Sequence, residues 1–192
     1  MIAPNVENIE PILLRTTLNT PRLLMRPLMD DDLIDLCAIL GDPLVMQHTA
    51  TGRPKTPAMT ASYLYSQQDH QAEHGFSLWG IVRVADNRLI GQCGLAYLPK
   101  TKETALGYTI AQDCWNQGYG TECTTAWLSY GFDALELDRI IAAVKPENTI
   151  SLRILDKLGL QYDRQDTFYG CSCSYYGINR DQWNAASSGL LV

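Results

Sequence analysis

The apolar positions along the chain follow two periods, and the switches between them outline the fold. From Gly118 to Leu135, the residues Cys123, Ala126, Trp127, Tyr130 and Ala134 recur at helical spacing and predict the longest clear amphipathic helix. Ile140–Val144 is an unbroken apolar run, which predicts a strand covered on both faces. Ser151–Leu158 reads as a further helix, ended by Gly159. Upstream, 78–84, 89–97 and 104–110 read as three strands, with turns at Asp86-Asn87 and at 99–102. Residues 161–168 and 171–179 read as an antiparallel pair turning at Gly170. Nearer the start, 23–28 reads as a strand. Asp30-Asp31-Asp32 then offers carboxylates to the free N–H groups of a helix over 33–40, which Gly41 and Pro43 stop. Gln47–Pro57 reads as a loop, and 60–74 as a polar helix with Gly75 as its C-cap.

This order implies an α/β (α+β mixed) fold, a mixed sheet with helices on both faces. Residues 1–18 are expected as an arm, broken by Pro4 and Pro11, with one domain over 19–180 and a tail over 181–192.

A chain of 192 residues buries roughly two thirds of its unfolded surface, so it needs no disulfide or metal staple. The net charge of −6 argues against nucleic-acid binding through bulk charge and favours small or cationic partners. Six cysteines without a CxxC pair, beside only three histidines, argue against a zinc cluster; no metal is expected. Their scatter fits reduced thiols and a cytoplasmic location. The first residues lack a basic n-region and a long apolar run, and no stretch approaches the ~20 apolar residues of a membrane span.

Two short segments carry candidate chemistry. Trp115-Asn116-Gln117-Gly118-Tyr119-Gly120-Thr121-Glu122 lies between a predicted strand and the best helix. Two glycines there let backbone approach a ligand, and a helix N-terminus presents N–H groups suited to phosphate. A plain helix start accounts for the same residues about as well. Asn148-Thr149-Ile150-Ser151 opens the next helix, and by itself reads best as an N-cap.

Taken in order with Leu106-Gly107-Tyr108-Thr109-Ile110 and Leu155-Asp156-Lys157-Leu158-Gly159-Leu160, these segments resemble the GCN5-related N-acetyltransferases (GNAT). The opening Thr20-Pro21-Arg22-Leu23-Leu24-Met25-Arg26-Pro27-Leu28 resembles the ribosomal-protein N-terminal acetyltransferase (RimJ/RimL-type) branch. The resemblance implies a GNAT-like, mostly antiparallel twisted sheet of about seven strands. It also implies acetyl-CoA as cosubstrate. The pyrophosphate would lie on Gln117, Gly118, Tyr119, Gly120 and Thr121, with Asn116 at the edge. The pantetheine arm would lie along Tyr108, Thr109 and Ile110 and meet Asn148. Ser151 is implied as the candidate general acid for the leaving thiolate.

Where many relatives carry a glutamate before the Leu-Gly-Tyr motif, this chain has Ala105. Glu103, on the same face of the strand, is then a candidate base, and His48 in the loop is another. His70 and His74 read as a solvated helix face, and Cys114 and Cys123 as structural. An α-amine of pKa ≈ 7.7–8.0 needs less help than a lysine-type amine, so the lack of a strong base favours a protein N-terminal acceptor. Two alternatives stand beside it: an N-acetyltransferase for a polyamine, aminoglycoside or amino metabolite, and a non-catalytic acyl-CoA sensor. The chain is expected to be a monomer or a homodimer, and the strand 171–179 is a candidate edge for subunit pairing.

Overall fold

The computed structural model of the protein describes residues 17–187. Eight strands form one sheet in the order β1-β2-β3-β4-β5-β6-β8-β7. They are β1 (Leu18–Asn19), β2 (Leu23–Arg26), β3 (Leu78–Arg83), β4 (Arg88–Leu98), β5 (Glu103–Ile110), β6 (Arg139–Val144), β7 (Gln161–Phe168) and β8 (Cys171–Asn179). The helices are α1 (Leu33–Leu40), α2 (Pro43–Met46), α3 (Pro57–His74), α4 (Tyr119–Asp133), α5 (Thr149–Lys157) and α6 (Arg180–Ser187). Every neighbouring pair of strands is antiparallel except β5 and β6, which are parallel. This is the mixed sheet that the element order implies and the mostly antiparallel arrangement that the resemblance implies, with one strand more than the seven expected. The extra strand is the two-residue β1, too short to show any period in sequence.

Long-range packing explains the elements. Trp127 of α4 meets Trp79 of β3 edge to face, with ring centroids 4.9 Å apart, and neither ring is exposed to solvent. The Trp79 indole donates to Gln71 Oε1 of α3 at 2.6 Å, which ties the polar helix to the core. Gly75 caps α3 with φ +79°, as its position predicts.

Four local expectations change. Pro43 does not merely stop α1; it stands at the first position of α2, where its missing N–H costs nothing, and Asp42 caps that helix. The Asp32 carboxylate does not cap α1. It turns back to Arg26, with 2.7 and 2.8 Å bonds from both guanidinium nitrogens, and accepts the N–H of Met29. Strand 171–179 is not an edge, because β6 and β7 flank it; the free edge on that side belongs to β7. The segment expected as a tail from 181 is helical up to 187, and buries Trp183 against Phe132 of α4. The expected arm lies outside the described residues up to position 16, and Leu18–Asn19 pairs with β2.

Among the described residues no helix is long and apolar enough to cross a membrane, and no cluster of His, Cys, Asp or Glu could hold a metal.

Candidate active site

The parallel pair β5 and β6 builds the site by coming apart. Only Ala105 and Ile141 pair in register, while β5 runs on to Ile110 alongside β4. Beyond Ala105, β5 therefore has hydrogen-bonded company on one side only. A cavity of about 320 Å³ opens there, with Tyr108, Thr109 and Ile110 on one wall and Asn148, Ser151 and Ile154 of the α5 region on the other.

The glycine turn closes one end of this cavity. Asn116 and Gly118 both take left-handed conformations, φ +58° and +82°, which a glycine tolerates at position 118. Long-range contacts hold the turn in place. Arg22 donates to the Gln117 carbonyl at 2.8 Å and pairs with Glu122 of α4, and its guanidinium stacks over the Tyr119 ring at 4.6 Å. Thr20 adds a 2.6 Å bond to the same carboxylate. The first helical turn of α4 carries N–H groups with no intrahelical partner, and Gly118, Tyr119, Gly120 and Thr121 line the cavity. A Cβ at Gly120 would stand 3.0 Å from Ile154 Cδ1 and 3.5 Å from the Tyr108 ring, so the bare backbone keeps the cavity open.

Across the cavity, Asn148 caps α5. Its Oδ1 accepts the Ser151 N–H at 3.1 Å, and its Nδ2 donates to the His48 carbonyl at 3.3 Å. The Asn148 side chain thus holds Ser151 and the His48 loop in place. The Ser151 and Tyr108 hydroxyls lie 2.8 Å apart. Burial pushes the Tyr108 phenol up to about 12, partly offset by the Ser151 hydrogen bond. The resemblance places Tyr108 only along the pantetheine arm; the contact of its hydroxyl with a helix far along the chain comes from the tertiary structure. The sequence signal available was the tyrosine of the Leu-Gly-Tyr motif on a predicted strand.

Among the sequence-predicted residues, the cavity gathers His48, Tyr108, Thr109, Ile110, Asn116, Gly118, Tyr119, Gly120, Thr121, Asn148 and Ser151. Gln117 is turned away, its side chain donating to the Asp113 carbonyl at 2.9 Å. The Ile110 carbonyl is taken by the Trp115 indole at 2.8 Å. His48 sits edge-on to Trp115 at the mouth.

Glu103 does not join them. It stands at the far end of β5, where Arg164 of β7 binds both its oxygens at 3.1 and 2.6 Å. Tied to Arg164 and lining neither the glycine-turn cavity nor its continuation, Glu103 is not brought to the site as a base. His70 and His74 are not a solvated face either. His70 Nε2 accepts the Tyr97 N–H at 3.1 Å, and both rings pack on Phe76. Cys114 and Cys123 are buried, as expected of structural thiols.

A second cavity, of about 430 Å³, continues from the first. The two share His48, Thr49, Tyr108, Thr109, Asn148 and Ser151, so the hydroxyl pair stands where they meet.

Comparison with known proteins agrees with this architecture. Residues 22–161 match the acetyltransferase (GNAT) domain family. The uncharacterized N-acetyltransferase YoaA of Bacillus subtilis is 31% identical over 145 residues, which is 75% of this chain and 82% of YoaA. A GNAT-family acetyltransferase from Bacillus anthracis superposes with a TM-score of 0.75 at 23% identity, over 86% of this chain and 99% of that one. RimJ of Mycobacterium smegmatis, solved with CoA-disulfide, shares the fold with a TM-score of 0.69 at 18% identity, over 86% and 89% of the two chains. With the parted strands, the glycine turn and the family match in agreement, the chain belongs to the GNAT family of N-acetyltransferases.

Proposed function

We propose that the protein transfers acetyl from acetyl-CoA directly to a primary amine, with the α-amine of a protein N-terminus as the favoured acceptor. One observation carries this reading: the glycine turn and the Tyr108–Ser151 hydroxyl pair open onto the same cavity. When bound, acetyl-CoA supplies a thioester, an acyl group activated for attack by an amine.

The N–H groups of the α4 turn suit a pyrophosphate, and the absence of a side chain at Gly120 leaves room for it. Tyr108 Oη keeps its proton at neutral pH, and Ser151 Oγ lies within hydrogen-bond reach of it, so the pair can protonate a departing thiolate. Among the described residues no carboxylate lines either cavity, and His48 is the sequence-predicted base candidate that does. An α-amine is already partly neutral near pH 7, and holding it in position supplies the rest. The thiols do not compete for the acyl group: burial pushes Cys93 and Cys114 up, away from the thiolate form. We place the protein in the cytoplasm, where its thiols stay reduced.

The test is thiol release from acetyl-CoA with short peptides varied at the first residue, run beside polyamines, aminoglycosides and free amino acids. Gly120→Glu should abolish both acetyl-CoA binding and turnover. Turnover on small amines alone would replace the N-terminal reading with metabolite or antibiotic modification. Acetyl-CoA binding without turnover on any amine would leave a sensor.

A further inference from the structure

We propose that the second cavity takes an α-amine compound with an apolar body and a negative group, held by Lys55 and Lys145, with Gln92 positioning the amine. The proposal rests on the acetyltransferase reading above and adds the chemistry of its acceptor.

Gln92 is on β4, in register with Thr109 of β5, and is 4% exposed. Its side chain reaches the Tyr63 hydroxyl, while its Oε1 has no hydrogen-bond donor among the described residues. An unpaired buried amide oxygen is costly, so its place beside a cavity calls for a partner. It lines the second cavity beside Tyr108 and Thr109, where the two cavities meet. The oxygen is sealed from solvent, so the Gln92 amide turns toward the cavity to accept an N–H bond from an attacking amine, which would aim the nitrogen lone pair away from Gln92.

The charges of the cavity point the same way. Its charged lining residues are Lys55 and Lys145, and neither is ion-paired among the described residues. Lys145 Nζ donates to the Gln47 carbonyl at 3.2 Å, and Lys55 Nζ lies over the Tyr63 ring at 5.1 Å. Glu147, on the turn after Lys145, is exposed and lies off the lining. Leu40, Met46, Leu98 and Phe168 give apolar walls. Two cations in an apolar cleft with no carboxylate attract an anion and repel a polycation, although the whole chain carries −6.

The experiment compares kcat/KM for Leu-Asp amide, Leu-Asn amide, free leucine and spermidine, with acetyl-CoA saturating. The two dipeptide amides differ only in charge at the second position. We expect Leu-Asp over Leu-Asn by about tenfold, as a charge-assisted contact gives, and spermidine last. Lys55→Gln and Lys145→Gln should each shrink the Asp-over-Asn ratio, and Lys145→Glu should invert it. Gln92→Leu should raise acceptor KM without lowering the melting temperature, because it also removes the unpaired oxygen. Free leucine matching Leu-Asp would identify the source as an amino acid, and leucine failing would identify it as a peptide terminus. Equal use of Asp and Asn, a ratio unmoved by the lysine variants, or a preference for spermidine would overturn the inference while leaving acetyl transfer intact. Acetyl-CoA binding with no turnover on any of the four overturns the inference, while the acetyltransferase reading stands or falls on the wider amine panel above.

Discussion

The hydroxyls of Tyr108 and Ser151 lie 2.8 Å apart, although one is on a strand and the other is in the first turn of a helix 43 residues later. They meet because β5 and β6 part after Ala105, which lets α5 close over the unpaired stretch of β5. Asn148 fixes one partner by capping α5, and burial keeps the other protonated.

Tyr108→Phe is therefore expected to lower kcat by about 10²-fold, the usual size of a lost general acid, with a smaller change in the KM for acetyl-CoA. The pH profile supplies a second reading. With Tyr108 pushed up to about 12, its proton stays in place across the assay range. The rate should rise as an α-amine acceptor deprotonates and level off above about pH 8, with no falling limb near neutrality. Steady-state kinetics from pH 6 to 10 check both points, and a falling limb near pH 8 would assign the acid role to another group.

Gly118→Ala places a Cβ on a residue at φ +82°, with Arg22 Nη2 3.3 Å away. The strained backbone should cost about 1 kcal/mol, or roughly 2–4 °C in melting temperature. Differential scanning calorimetry measures that loss. Acetyl-CoA affinity should weaken as well, because the same backbone sets the direction of the α4 N–H groups.

Glu103→Gln should leave kcat within about twofold of the parent, since general acid–base roles are worth far more. Its expected effect is on stability. The substitution breaks the fork with Arg164, a partly exposed pair worth about 1 kcal/mol or less. A large loss of activity with normal stability would restore Glu103 as a base.

The His70 ring predicts a loss of stability in acid. Burial, with the neighbouring His74 charge adding to it, lowers the His70 pKa, while Glu73 opposes the shift. Its Nε2 accepts the Tyr97 N–H only while that nitrogen is unprotonated. The folded state therefore binds the proton less readily than the unfolded chain. Stability from this group is full above the unfolded value near 6.5 and falls as pH drops through the folded value. Urea unfolding at pH 7.5 and pH 5.5 should show the difference, and His70→Gln should reduce it.

The local sequence carried most of the element order. The periods of 123–134 and 140–144, and the cap at Gly75, depend on neighbours within a few residues, so the chain by itself determined them. The glycines at 118 and 120 and the Asn148-to-Ser151 spacing were readable for the same reason, and their order revealed the family. Tertiary structure decided which groups can act together. Glu103 and Ala105 share a face of one strand, yet Glu103 is spent on Arg164, 61 residues away, on β7 at the edge of the same sheet. The Tyr108 phenol keeps its proton beside Ser151, and Gln92 Oε1 is left without a donor among the described residues, only because the fold buries both. Burial and long-range pairing depend on strand order and on where a parallel pair stops bonding, and neither is written in the spacing of adjacent residues.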